Sequence, residues 1–144
     1  MRTDSRLPRV LHALLHMAEM DRPATSEEIA AMLGTNATVV RRTLAGLREA
    51  QLLTSTKGHG GGWSLSRPLT EISLLDLYSA LGAPELFAIA PDEDQPSCLL
   101  ARAANAATND ALYEAKQVFK ARLAARTVAE IVKPDQSVVE PFKG

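Results

Sequence analysis

Three arginines, a basic glycine-rich turn, a histidine pair and one cysteine are the side chains of this 144-residue sequence whose types and spacing could do chemistry. Arg41, Arg42 and Arg48 fall within eight residues. At 100° per residue they share one helix side with Thr38, Ala45 and Glu49, opposite the apolar Val40, Leu44 and Leu47. A guanidinium pairs bidentately with guanine or holds a phosphate, and small Thr38 and Ala45 let a helix lie close to a groove. The segment Lys57-Gly58-His59-Gly60-Gly61-Gly62 follows. Lys57 and His59 are candidates for minor-groove or phosphate contacts, while Gly60, Gly61 and Gly62 let the backbone come near. Ser26, at the start of the preceding helix, is counted with this DNA-contacting set. A nucleotide-binding P-loop is excluded, because it needs Lys-Ser/Thr after its last glycine and then a helix, whereas Trp63-Ser64-Leu65 reads as strand.

His12 and His16 stand four apart on the first helix, near Glu19. Two exposed histidines are ordinarily solvated, and a metal site wants more ligands, so they are only weak metal candidates. Cys98 reads two ways, as a small buried hydrophobe or as a reactive sensor thiol. It lies between an acidic loop and a helix start, where the helix dipole favours thiolate. No Ser/His/Asp or paired-carboxylate arrangement stands out, so the sequence offers no catalytic residues and is not that of an enzyme.

The elements that must position these groups follow from periodicity and capping. Leu7, Val10, Leu11, Leu14, Leu15 and Ala18 form an amphipathic stripe, with Asp4 or Ser5 as cap. Thr25-Ser26-Glu27-Glu28 is a capping box that opens a second helix, which buries Ile29, Ala30 and Leu33 and closes at Gly34. After a four-residue turn, Asn36 caps the arginine-bearing helix, which runs to about Ala50. Leu52–Thr56 and Trp63–Ser66 read as the strands of a hairpin. Ile72-Ser73-Leu74-Leu75-Asp76-Leu77 caps a further helix ending at Gly82-Ala83-Pro84. Pro91–Ser97 is expected to be a mobile acidic loop. A long alanine-rich helix then runs from Leu99 or Asn105 to Ala125. Its stripe is Leu112, Ala115, Phe119 and Leu123, widened by Val118, Ala121 and Ala125, with Lys116, Gln117 and Lys120 opposite. About 20 residues would span about 30 Å. Thr127-Val128-Ala129-Glu130 is a capping box for a short closing helix. The predicted fold is mainly α with a small β-hairpin wing. It comprises a winged helix-turn-helix over residues 1–82, an acidic linker or sensor loop over 83–98, a dimerisation helix and closing helix over 99–133, and a loose tail over 134–144.

Composition sets the outer bounds. Apolar residues make up 46% but aromatics only 4%, so the core is aliphatic and favours helices. The net charge of −1 hides a division. Residues 1–67 hold nine Lys/Arg and six Asp/Glu, while the remainder hold seven and eleven. The basic excess sits in the segment that would meet phosphate, and local field governs affinity for duplex DNA. No apolar run approaches the roughly 20 residues that cross a bilayer. The amino terminus lacks an apolar signal core, and one cysteine allows no intrachain disulfide, so a cytoplasmic location is expected.

These residues resemble the Rrf-two family of bacterial winged-helix regulators, the IscR, NsrR and CymR class. The matching text is Ser26-Glu27-Glu28-Ile29-Ala30, Asn36 through Leu44, Leu47 through Leu53, Gly58 through Leu65, and Ile72 through Leu77. It continues at Cys98 and Thr127 through Ile131. The resemblance implies a homodimer that pairs its long helices, presents two recognition helices to a palindromic operator in double-stranded DNA, and represses by competing with polymerase. Iron–sulfur members carry three cysteines in and beside the loop before the long helix. This chain has only Cys98, at the start of that helix, so no cluster is expected as cofactor. The alternative reading is a protein-interaction module that keeps the fold without specific DNA binding.

Overall fold

Local signals place the first helices. In the computed structural model, which describes residues 3–94 and 97–131, α1 spans Arg6–Glu19, α2 Ser26–Leu33 and α3 Ala37–Glu49. Thr25 accepts the Glu28 backbone N–H while the Glu28 carboxylate accepts that of Thr25, so the capping box closes on both sides. Gly34 ends α2 at φ +66°, and Asn36 caps α3 by accepting the Val39 N–H at 3.0 Å. Three residues, not four, separate the two helices. At α1 the capping role falls to Asp4, whose carboxylate accepts the Arg6 backbone N–H, while Ser5 makes no side-chain cap bond. The buried side of α1 is Val10, Ala13, Leu14 and Met17, and Ala18 is exposed. Packing against α2, α3 and the hairpin selects this i, i+3, i+4, i+7 set over the neighbouring stripe.

A two-stranded antiparallel hairpin follows, β1 Leu53–Thr56 and β2 Gly62–Leu65, with Leu53 opposite Leu65 and Thr56 opposite Gly62. The chain leaves α3 through Gln51 at φ +62°, and the Leu52 N–H reaches back to the Leu47 carbonyl at 2.9 Å. This helix-end turn, built without glycine, fixes the angle at which the hairpin departs. A 3₁₀ turn at Leu69–Glu71 leads to α4, Leu74–Ala80, opened by the reciprocal Ser73–Asp76 cap. Ile72 and Leu77 are both fully buried there.

One aliphatic core joins these elements, centred on Leu14, Ile29, Leu44, Leu47, Leu52, Leu53, Ile72 and Leu77. The longest element, α5 (Leu99–Ala124), stands largely outside it, and of its 26 residues only Leu123 is buried. At about 1.5 Å per residue it extends about 39 Å. Its carboxyl-terminal part docks through Phe119, which meets Tyr78 edge-to-face at 5.3 Å between centroids. The Tyr78 hydroxyl donates to the Pro84 carbonyl, and desolvation raises its pKa. The closing helix α6, Val128–Ile131, is pinned by the Val128 N–H to the Ile72 carbonyl at 2.9 Å. One expectation is corrected. Lys116 and Lys120 are half-buried beside the docked stripe, because the 100° wheel places them next to Leu112 and Leu123. The acidic loop is tied down at one point, where Asn105 of α5 accepts the Asp92 N–H at 2.9 Å and donates to its carbonyl. The expected tail lies outside the described residues.

Candidate nucleic-acid interface

Val40, Leu44 and Leu47 are buried under α3, which leaves Thr38, Arg41, Arg42, Arg48 and Glu49 exposed on its outer side. The four helix-borne candidates are thus brought to one surface, but they are not equivalent. Arg41 lies 3.7 Å from Glu27 with both side chains well exposed. Such a pair is weak and yields readily to phosphate. Arg42 has no ion pair among the described residues. Arg48 is already engaged, for its Nη1 donates to the Ser55 hydroxyl of β1 at 3.0 Å and its guanidinium lies 5.4 Å from the Trp63 ring centroid. It ties the recognition helix to the hairpin before any DNA arrives.

Trp63 braces this surface, a role that inspection of the sequence overlooks. Its ring is almost wholly buried and its Nε1–H donates to the Ser26 hydroxyl at 3.0 Å. Its backbone exchanges both hydrogen bonds with Ala24, at 3.0 and 2.8 Å, so the segment before α2 adds a third rung to the hairpin. Ser26, expected to touch DNA, thus accepts a bond that ties it to the wing and keeps its hydroxyl hydrogen as a donor. Trp63, Ser26, Arg48 and Ser55 join α2, α3 and both strands into one rigid unit. A tryptophan in a strand that faces a short hydroxyl residue 37 positions earlier was the available signal, but only folding brings the pair together.

The hairpin tip carries Lys57 and His59, both exposed, with Gly60 at φ +78°. Gly61 and Gly62 have steric reasons to be glycine. A Cβ on Gly61 would run into the Thr56 carbonyl, and one on Gly62 would sit 2.5 Å from the Ala24 oxygen. The glycines therefore close the tip and let β2 press against residue 24, a tighter role than general flexibility. Beneath, Arg22 holds the Glu28 carboxylate with two hydrogen bonds of 2.8 and 2.7 Å. That fork, helped by the Thr25 backbone N–H, lowers the Glu28 pKa to about 2.

Two other candidate groups lie away from this surface. Cys98 is the amino-terminal cap residue of α5 and is exposed in the single chain. His12, exposed, and His16, half-buried, lie on the flank of α1 away from its core stripe and share an Nε2···Nε2 hydrogen bond of 2.9 Å. An iron–sulfur cluster does not fit the residues at hand. Such clusters rest mainly on cysteine thiolates, the chain has a single cysteine, and among the described residues no three His, Cys, Asp or Glu gather to hold an ion. No helix among the described residues is long and apolar enough to cross a membrane.

Comparison with known proteins agrees with this geometry. YwnA of Bacillus subtilis (strain 168), named as an HTH-type transcriptional regulator, is 32% identical over 130 residues, covering 90% of this chain and 96% of that protein. A crystal structure described as that of a DNA-binding protein superposes with a TM-score of 0.71 at 28% identity, covering 90% of this chain and all of the other. IscR of T. potens matches with a TM-score of 0.68 at 19% identity, over 98% of this chain and 93% of its own, and so speaks for the fold. Residues 3–134 match the Rrf2 family, described as "Iron-dependent Transcriptional regulator". With a winged helix-turn-helix in place and the family matched over nearly its whole length, the chain belongs to the Rrf2 transcriptional regulators, a family of DNA-binding proteins and not of enzymes.

Proposed function

We propose that this chain acts as a homodimeric, sequence-specific repressor that binds a palindromic operator and carries no resident iron–sulfur cluster. The observation that carries the reading is the pairing of two unsatisfied surfaces, the arginine face of α3 and the outer face of α5. On α5 and its capping Ala125, Leu100, Ala104, Ala107, Ala111, Val118, Ala121 and Ala125 are all exposed and repeat in alternating steps of three and four, broken once by Glu114. That is the spacing of a helix–helix seam, and Leu100 is 82% and Val118 62% exposed in the single chain. Small alanines along such a seam allow close approach of a second copy. Dimerisation would then set two α3 helices at a fixed separation, which a two-fold symmetric operator matches.

In this reading Arg42 and Arg41 lie in the major groove, Thr38 packs beside them, and Lys57, His59 and the Gly60–Gly61 backbone approach the flanking groove. Arg48 and Ser26 act chiefly by holding the wing. Exposed Cys98, at the end of α5 nearest the acidic loop, supports a thiol or small-ligand response that alters the pairing of α5. Fluorescence anisotropy against the DNA upstream of its own gene, before and after peroxide, tests the proposal. Nanomolar binding that falls steeply with salt is expected, with Arg42→Ala costing about 1–3 kcal/mol. Binding no better than to random DNA would favour the interaction-module alternative, and binding indifferent to peroxide would remove Cys98 as the switch.

A further inference from the structure

His12 and His16 belong neither to the core nor to the arginine surface. One turn apart on α1, they share an Nε2···Nε2 hydrogen bond of 2.9 Å with ring centroids 4.7 Å apart, so a bound ion would take the place of the bridging proton, which moves to Nδ1. Metal–imidazole bonds of about 2.0–2.1 Å meeting at a right angle place two nitrogens about 2.9 Å apart, whereas a tetrahedral angle requires about 3.3–3.4 Å. We infer that His12 and His16 form a bidentate site for a divalent ion of tetragonal or octahedral preference, Cu²⁺ or Ni²⁺ in preference to Zn²⁺.

The spacing is set in advance by the helix. Four buried residues anchor α1 in the core, so neither imidazole has to recruit its own backbone to reach the ion. Both rings bind as neutral imidazoles through Nε2, which leaves each Nδ1 as the protonated nitrogen. Among the described residues no third His, Cys, Asp or Glu joins them, so water completes the coordination shell. Arg9 and Glu19 are the charged residues of α1 that bracket the pair along this face. The ion binds as a clip across one helical turn, independent of Cys98 and of any cluster.

The experiment is calorimetric titration of the full chain with Ni²⁺ and with Zn²⁺, paired with electron paramagnetic resonance of the Cu²⁺-loaded protein. One ion per chain is expected, with Ni²⁺ tighter than Zn²⁺ and two imidazole nitrogens in the Cu²⁺ spectrum. His12→Gln and His16→Gln should each weaken Ni²⁺ binding at least as much as loss of an outer-shell partner does, about 10–100-fold, with unchanged helical circular dichroism. His59→Gln should leave Ni²⁺ binding as it was. No binding at all, binding that survives both helix variants, or a preference for Zn²⁺ would overturn the assignment.

Discussion

From Val10 to Leu81 every helix and both strands send side chains into one core, while α5, with more residues than any other element, buries only Leu123. In the first region the polar ends are closed as well, by the caps at Thr25, Asn36 and Ser73. In the second, Leu99, Leu100, Tyr113 and Val118 face outward. The difference teaches that the winged domain is complete in one chain, whereas the long helix exposes an apolar seam that a lone molecule leaves in water. A stability change should therefore divide cleanly, with core substitutions unfolding the chain and seam substitutions only unpairing it.

The largest expected effect is Leu47→Ala. Leu47 is fully buried between α3 and the core, so its truncation should cost about 2–5 kcal/mol in urea unfolding. A loss below about 1 kcal/mol would mean that the winged domain is looser than its packing implies. Next comes Val118→Arg, which should weaken self-association about a hundredfold or more, ~2–3 kcal/mol, in sedimentation equilibrium while leaving the monomer's unfolding transition in place. If that variant unfolded the monomer instead, α5 would have to be counted with the core and the contrast would collapse.

Trp63→Phe sharpens the comparison within the first region. It keeps most of the buried ring but loses the donor to Ser26 and part of the attraction to Arg48. Stability should fall by about 0.5–1.5 kcal/mol. Operator affinity should fall further than that, with a shallower salt dependence as the wing's phosphate contacts loosen. Equal losses with the salt slope unchanged would reduce Trp63 to a packing residue.

The smallest effect concerns Glu28, whose carboxyl the Arg22 fork holds at about 2 against its ordinary 4.5. A folded value below the unfolded one means that the native state holds fewer protons. The stabilisation is therefore full above about pH 4.5 and is lost as pH falls toward 2. Thermal melts of Glu28→Gln and the unchanged chain should differ at pH 6 and converge near pH 2. A gap of the same size at both values would deny the linkage. Since the pair is solvent-exposed, the gap at pH 6 should be small.

The order of elements, their capped ends and the arginine side of α3 were legible because they rest on local rules. A cap spans three residues and a helix face repeats every three or four, so nearby side chains suffice to define them. The half-burial of Lys116 and Lys120 was open to the same rules, since the 100° wheel sets them beside Leu112 and Leu123, but their charge had assigned them to the far side. Which of the stripes on α1 turns inward was not legible, and packing against α2, α3 and the hairpin brought Ala13 and Met17 into the core in place of Ala18. Cys98 was left between two readings because its surroundings depend on what covers the start of α5, which no local pattern encodes.

By itself the sequence determined a mainly α chain with a glycine-tipped hairpin, a basic recognition helix and a single thiol, since periodicity, capping and counts carry that information without distance. Tertiary structure alone decided which arginines are at liberty. Arg48 and Ser26 are 22 residues apart in the chain, and Trp63 lies beyond both, yet the three meet under the wing and fix its aim. Contacts across such separations depend on how helices and strands pack in three dimensions, and no local pattern encodes them.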